Sequence, residues 1–157
     1  MPELSKLYDH DFVLWTEEQA ALLRRAKDSN LPLDWENLAE EIESLGRSDK
    51  RELRSQIRRI LRHLFKLEAS PSAEPRAGWR TTIRDARSEI EDLLRDSPSL
   101  GREVDALVGE EVGSAATLAA GDMAEYGEPP GMIETRQQAG GFTAAQVLGD
   151  WFPAAPG

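Results

Sequence analysis

The sequence has no cysteine among its 157 residues and only two histidines, His10 and His63. The first absence excludes disulfides, thiolate zinc sites and cysteine nucleophiles, so the core must hold without covalent staples. Long apolar runs are also missing. None approaches the roughly 20 residues that span a bilayer, and the opening stretch MPELSKLYDHDF has neither the charged region nor the apolar region of a secretion signal. A cytoplasmic protein without membrane contact is the expectation. Positive charge is in short supply: 19 Lys and Arg face 29 Asp and Glu, a formal net charge of -10. Such a field repels nucleic acid and anionic lipid unless a local patch overrides it, which points to a protein partner or a second copy of the chain. With 39% hydrophobic and 31% charged residues, the composition is that of a globular chain rather than a disordered one. Its length suits a single domain, 1–157, with a core over about 11–126 and a loop and docking tail over about 127–157.

No stretch alternates with period two, and no fixed repeat is present; the periodicity is helical throughout. Phe12, Trp15, Leu22, Leu23 and Ala26 predict a helix from about Asp11 to Asp28, with the alternative start at Thr16 set aside because the apolar stripe runs through it. Asp34 then caps a helix with Trp35, Leu38, Ala39, Ile42 and Leu45 on one face, ending at Gly46. A third helix, capped by Ser48 or Asp49, runs to about Glu68 on Leu53, Ile57, Ile60, Leu61, Leu64 and Leu67, and the two pair as a central antiparallel hairpin. After the loop Ser70–Pro75, a fourth helix to Asp96 carries Trp79, Ile83, Ala86, Ile90, Leu93 and Leu94. Ser97 and Pro98 open a fifth, weakened by Gly109, Gly113 and Gly121, that runs to about Tyr126. Residues 127–141 read as an extended loop, and Thr143 with Gln146 forms a capping box for a short last helix ending near Gly149. Three of the four tryptophans sit on helix stripes and are expected in the core. The fold class is therefore all-α: a bundle of four to five main helices with a central antiparallel hairpin and a short C-terminal helix.

Several stretches of the chain, YDHDFVLW (8–15), LDWENLAEEIESLGRSDKREL (33–53), HLFK (63–66), WRTTIRDARSEIEDLL (79–94), DSPSL (96–100) and TAAQVLGDWFP (143–153), resemble the bacterial family catalogued as domain of unknown function 29. The resemblance covers nearly the whole chain. It implies an all-helical bacterial domain and assigns no activity.

Three clusters carry the chemistry that is available. Between Arg47 and Lys66 eight basic residues face only Asp49 and Glu52, a local net charge of +6; Arg54, Arg58 and Arg62 form its candidate nucleic-acid patch. The preceding helix carries Asp34, Glu36, Glu40, Glu41 and Glu43, and a hairpin would set the two against each other and neutralise most of the patch. On the fourth helix Arg76, Arg80, Arg84 and Arg87 form a ladder beside the apolar face, where guanidinium forks bind carboxylate or phosphate unless Asp85, Glu89, Asp92 or acids of the second helix occupy them. Arg87 is the member expected to be buried.

His63 lies at the margin of the third helix's apolar face, within reach of a carboxylate from a neighbour. Glu41, His63, Arg84 and Arg87 are thus the candidate ligand-binding or buried polar cluster. No metal site is expected there, because neither histidine follows a glutamate by three as carboxylate-bridged di-metal bundles require; the triplet Asp9, His10, Asp11 reads as a helix start. The motifs GxxxxGK[ST], GxGxxG, HExxH and GxSxG are all absent, and no cofactor is implied. The reading is of a non-catalytic interaction or scaffold module, with the fifth helix's weaker face as the surface offered to a partner or a second copy. Nucleic-acid binding through 47–66 is the first alternative, and small-anion or metal binding around Glu41, His63 and Arg87 the second.

Overall fold

The structure, a computed structural model, describes residues 4–157. Residues 1–3, the start of the stretch read above for a secretion signal, lie outside the described residues. The described chain is helical: α1 (Leu4–His10), α2 (Phe12–Arg25), a 3-10 turn (Ala26–Asp28), α3 (Trp35–Ala69), α4 (Arg76–Asp96), a 3-10 segment (Pro98–Glu103), α5 (Val104–Glu125), α6 (Gly131–Gln138) and α7 (Ala144–Leu148). Among the described residues there is no strand, so the all-α class stands. No helix is long and apolar enough to cross a membrane among these residues.

The chain gathers into two compact units. The first contains the residues up to Leu53 together with Asp92–Arg102. Its α2 begins where the acid pattern placed it. The Asp11 carboxylate accepts the Leu14 N–H at 2.9 Å and so caps the helix, while Ser97 Oγ accepts the Val13 N–H at 3.0 Å. Two of the donors that a helix leaves open at its start are thereby satisfied. Thr16 is an interior residue of α2; its buried hydroxyl donates to the Val13 carbonyl. Tyr8, Phe12 and Trp15 pack ring on ring, with Tyr8 edge-on to both others.

The predicted hairpin is not formed. α3 is one helix of 35 residues, and Gly46 stands inside it. Glycine there is needed for close approach rather than for a stop: a Cβ would lie 2.3 Å from Thr16 Oγ1. Glu40 and Glu43 pair with Arg47 along the same helix, at 2.5 and 3.2 Å, which ties the turns on either side of Gly46 together. The sequence signal was real, a glycine after an apolar run, but tertiary contact overrode it.

The second unit contains Arg54–Glu91 and Glu103–Gly157. Its core is built from Ile57, Ile60, Leu61, Leu64, Phe65 and Leu67 of α3, Ile83, Ala86 and Ile90 of α4, and Leu107, Val108, Ala115, Ala119 and Met123 of α5. Helices α6 and α7 both pack on α5. Helix α5 ends where Gly127, at φ 72°, takes a left-handed conformation; the Glu128 N–H reaches the Met123 carbonyl at 2.9 Å and the Gly127 N–H the Ala124 carbonyl at 3.0 Å, a Schellman closure.

Helix α6 replaces the loop expected over 127–141. Pro130 sits at its N-cap, and Ile133 alone is buried, so no apolar stripe announced it. The expected cap of the fifth helix at Ser97 is taken up by the 3-10 segment, and α5 proper starts at Val104. The capping box of α7 is present as read, with Thr143 Oγ1 accepting the Gln146 N–H and the Gln146 side chain accepting the Thr143 N–H. Of the tryptophans, Trp79 alone is buried, while Trp151 is exposed and Trp15 and Trp35 are half-buried.

Candidate functional site

Helix α3 presents its basic half to α5 in the second unit. Arg54 pairs with Glu110 at 3.2 Å and approaches the buried Glu111 at 3.5 Å, and Arg58 lies 3.6 Å from Glu111. Arg62 grips Asp122 with both Nε and Nη2, at 2.7 and 2.6 Å, and Lys66 donates to the same carboxylate at 3.0 Å. The patch Arg54, Arg58, Arg62 is therefore paired, but with acids of α5 and not with the acidic stretch 34–43 that the hairpin would have brought over it. Helical periodicity carries Arg58, Arg62 and Lys66 along one stripe at spacing four, which is why a single neighbour meets them in turn.

Between these two helices runs a groove. One part, of 740 Å³, is lined by Arg62, His63, Lys66, Thr117, Leu118, Gly121, Asp122, Glu125 and Tyr126. A second part, of 340 Å³, shares Arg62, His63 and Leu118 with the first and adds Ser55, Arg58 and Arg59. His63 Nδ1 lies 2.8 Å from the Arg59 carbonyl. A carbonyl only accepts, so Nδ1 carries the proton. Burial pulls the His63 pKa down to about 4, the Arg59 carbonyl opposes this, and Lys66 and Arg62 reinforce it. At neutral pH the ring is thus uncharged and Nε2 is a hydrogen-bond acceptor. Asp122 is the opposite case: hydrogen bonds from Arg62, and secondarily Lys66, hold its carboxyl down at about 2 against the effect of burial.

The remaining candidates lie elsewhere. Arg87 is buried and donates from Nε to the Val147 carbonyl at 2.9 Å, and from Nη2 to the carbonyls of Gln146 and Trp151 at 2.9 and 2.7 Å. Arg84 and Arg87 both stack on Phe152, at 5.2 and 4.8 Å, and share a separate groove of 350 Å³ with Ser88, Glu91 and Asp150. The two arginines are brought together; His63 lines other grooves, and Glu41 is exposed in the first unit. Arg76 donates to the Ser70 carbonyl, so the ladder ends on main chain and an aromatic ring. Among the described residues no group of three or more His, Asp or Glu side chains could hold a metal ion.

The first unit carries a surface that sequence reasoning missed. Leu22, Leu31, Leu33, Leu38 and Leu45 are 40, 61, 50, 41 and 51% exposed, whereas the fifth helix, expected to offer its face, buries nine residues. Along α3, positions 35, 38, 42 and 45 follow the 3-4-3 spacing of a helix seam, and this spacing had been read as core. What meets α2 instead is Gly46, beside Val13 and Thr16, with the buried Ala39 a heptad earlier on the same stripe. Arg24 lies on the other flank and holds Glu36 at 3.1 Å and Glu43 more closely. Periodicity identifies an apolar face but not whether anything covers it.

The chain matches the family described as Domain of unknown function DUF29 over residues 7–151. It belongs to this family. A crystal structure of an α-helical protein of unknown function from Rhodospirillum rubrum is similar to it, with 28% identity over 90% of this chain and 88% of that one and a TM-score of 0.72. No curated protein matches. Membership in DUF29 agrees with the helical fold and assigns no chemistry to the groove or the leucine-rich face.

Proposed function

We propose that this DUF29 protein is a non-catalytic interaction module that takes a basic amphipathic helix of a partner protein on the leucine-rich face of α2 and the first half of α3. The observation that carries this reading is the exposure of five leucines by two-fifths or more each. Leucines scattered singly are ordinary on a surface, but two on one helical stripe, as Leu38 and Leu45 are, begin an apolar patch of the kind that marks an interaction site. Leu38 and Leu45 lie a heptad apart, with the half-buried Trp35 and Ile42 in the same seam, matching the anchor spacing of helix-in-groove recognition.

The rim decides the occupant. By helical register the exposed Glu41 stands between Leu38 and Leu45 on α3, and the exposed Asp34 precedes Trp35 at the start of the seam. A second copy facing this surface would set carboxylate against carboxylate, whereas a helix with lysines or arginines flanking its leucines would be matched. The reading takes the chain as one helical domain over 1–157, acting in the cytoplasm of a bacterium. The family match over 7–151 and the helical neighbour from Rhodospirillum rubrum support the single helical domain. Nucleic-acid binding is the weaker alternative, since the net charge of -10 repels a polyanion along its length and Arg54 is paired with Glu110.

The test uses a synthetic amphipathic helix with leucines at i, i+3 and i+7 and lysines elsewhere, beside the same peptide with glutamates in place of lysines. The lysine peptide should bind with micromolar affinity. Leu38→Glu with Leu45→Glu should weaken it at least about tenfold, and the glutamate peptide should bind far less. Equal binding of both peptides, or indifference to the double substitution, would refute the reading. A dimer in sedimentation that the double substitution dissolves would replace the partner helix by a second copy.

A further inference from the structure

We propose that the groove between α3 and α5 binds a small phosphorylated molecule, with its phosphate held by Arg58, Arg59 and Arg62 and a neighbouring hydroxyl donating to His63 Nε2. The inference is independent of the leucine-rich face and rests on the second unit alone.

The smaller part of the groove decides the charge of the ligand. Ser55, Arg58, Arg59, Arg62, His63 and Leu118 line it, and no carboxylate is among them. Arg59 has no ion pair among the described residues, and its side chain is exposed. Arg58 stands 3.6 Å from Glu111, beyond hydrogen-bond length, so its donors are not used up. Arg62 spends Nε and Nη2 on Asp122, which fixes the plane of its guanidinium and leaves Nη1 open. Three guanidiniums at i, i+1 and i+4 offer more donors than the two oxygens of a carboxylate can take, and they suit the three oxygens of a phosphate monoester.

The larger part sets the size and the second contact. At 740 Å³ it lies within the range of small-molecule sites, and it joins the smaller part through Arg62, His63 and Leu118. The Arg59 carbonyl holds His63 Nδ1–H, so the ring presents a fixed, neutral acceptor beside the arginines. An acceptor in that place selects a ligand with a donor next to its phosphate, as in a sugar phosphate, over inorganic phosphate. Thr117 and Asp122 supply further polar contacts along the groove. The net charge of -10 opposes any anion at long range, so affinity must come from these short contacts and will fall with added salt.

The experiment titrates the whole protein at low ionic strength and pH 7.5 with inorganic phosphate, glucose 6-phosphate, glucose and a ten-residue oligothymidylate, following the His63 ring resonances and the dissociation constants. Glucose 6-phosphate should bind more tightly than phosphate, and glucose should not bind. Arg59→Gln, an exposed change that leaves the core untouched, should weaken glucose 6-phosphate about tenfold. His63→Leu should bring it to the level of phosphate, and His63→Gln, which restores an acceptor, should recover part of the difference. The proposal falls if the wild-type protein binds no phosphate, if Arg59→Gln changes nothing, or if phosphate and glucose 6-phosphate bind alike. Tighter binding of the oligothymidylate than of glucose 6-phosphate would overturn it in favour of a nucleic-acid backbone.

Discussion

The Asp11 carboxylate receives both the N–H and the hydroxyl of Ser99, at 2.7 and 2.8 Å, across 88 positions of sequence. The same carboxylate caps α2, so one buried side chain both starts a helix and fastens the 3-10 segment beside it. Replacing it with alanine removes the cap, which alone is worth about 1 kcal/mol, and leaves the Ser99 donors without their acceptor. Asp11→Ala should therefore lose about 2 kcal/mol of unfolding free energy in urea, with an unchanged dependence on denaturant. A loss no larger than that of a surface alanine would show that water replaces the carboxylate without penalty.

Gly46 gives a prediction of opposite sign to propensity. In an exposed helix Gly→Ala gains roughly 1 kcal/mol, but here the new methyl meets Thr16 Oγ1. Gly46→Ala should destabilise the protein by about 1–2 kcal/mol. The clash involves the hydroxyl, the Thr16 Cβ being 3.5 Å away, so Thr16→Ala in the same chain should recover most of the loss. Additive effects in that double-mutant cycle would place the strain elsewhere.

His63 and Asp122 make stability depend on pH in two separate windows. The His63 pKa is lowered from 6.5 to about 4 in the folded protein, so the unfolded chain takes up the proton first. Its contribution is complete above about pH 6.5 and lost as pH falls towards 4, on the order of 2 kcal/mol. Asp122, lowered from 3.8 to about 2, loses its contribution as pH falls from 3.8 through about 2, by about 1 kcal/mol once solvent screening of the pair is allowed for. Urea unfolding at pH 7.5, 5 and 4 should show the first loss, and His63→Gln should flatten it. A wild-type curve already flat between pH 7.5 and 4 would contradict the assignment.

Arg87 should be the most sensitive arginine in the second unit. Arg87→Met keeps apolar bulk but leaves the carbonyls of Gln146, Val147 and Trp151 without their donor, and should cost about 2–3 kcal/mol. Trp151 fluorescence should shift to longer wavelength as the tail loosens. Arg84→Met, which removes one stacking contact on Phe152, should stay within about 0.5 kcal/mol.

The sequence made legible what depends on nearest neighbours. The Asp11 cap, the α7 capping box and the apolar stripes of α3, α4 and α5 all follow from spacing within a few residues. It concealed what depends on distant ones. Gly46 reads as a terminator until Thr16 is seen opposite it, and the seam 35, 38, 42, 45 reads as core although Leu38 and Leu45 are exposed. The basic half of α3 reads as neutralised by the acidic stretch before it, whereas Arg54 and Arg62 meet Glu110 and Asp122, more than 50 positions away. Of the candidate cluster, the burial of Arg87 was readable from its register beside Ile90 and Leu94, whereas its partners are main-chain oxygens, which carry no signature in a sequence.

That last feature makes tolerance to substitution one-sided. Every residue of the tail brings a carbonyl, so the side chains at 146, 147 and 151 can be exchanged without removing an acceptor from the tether. The donor has no such redundancy: lysine offers a point charge where a planar fork is needed, and a randomised library should accept many residues at the exposed position 151, small apolar ones at the buried Val147, and arginine alone at 87.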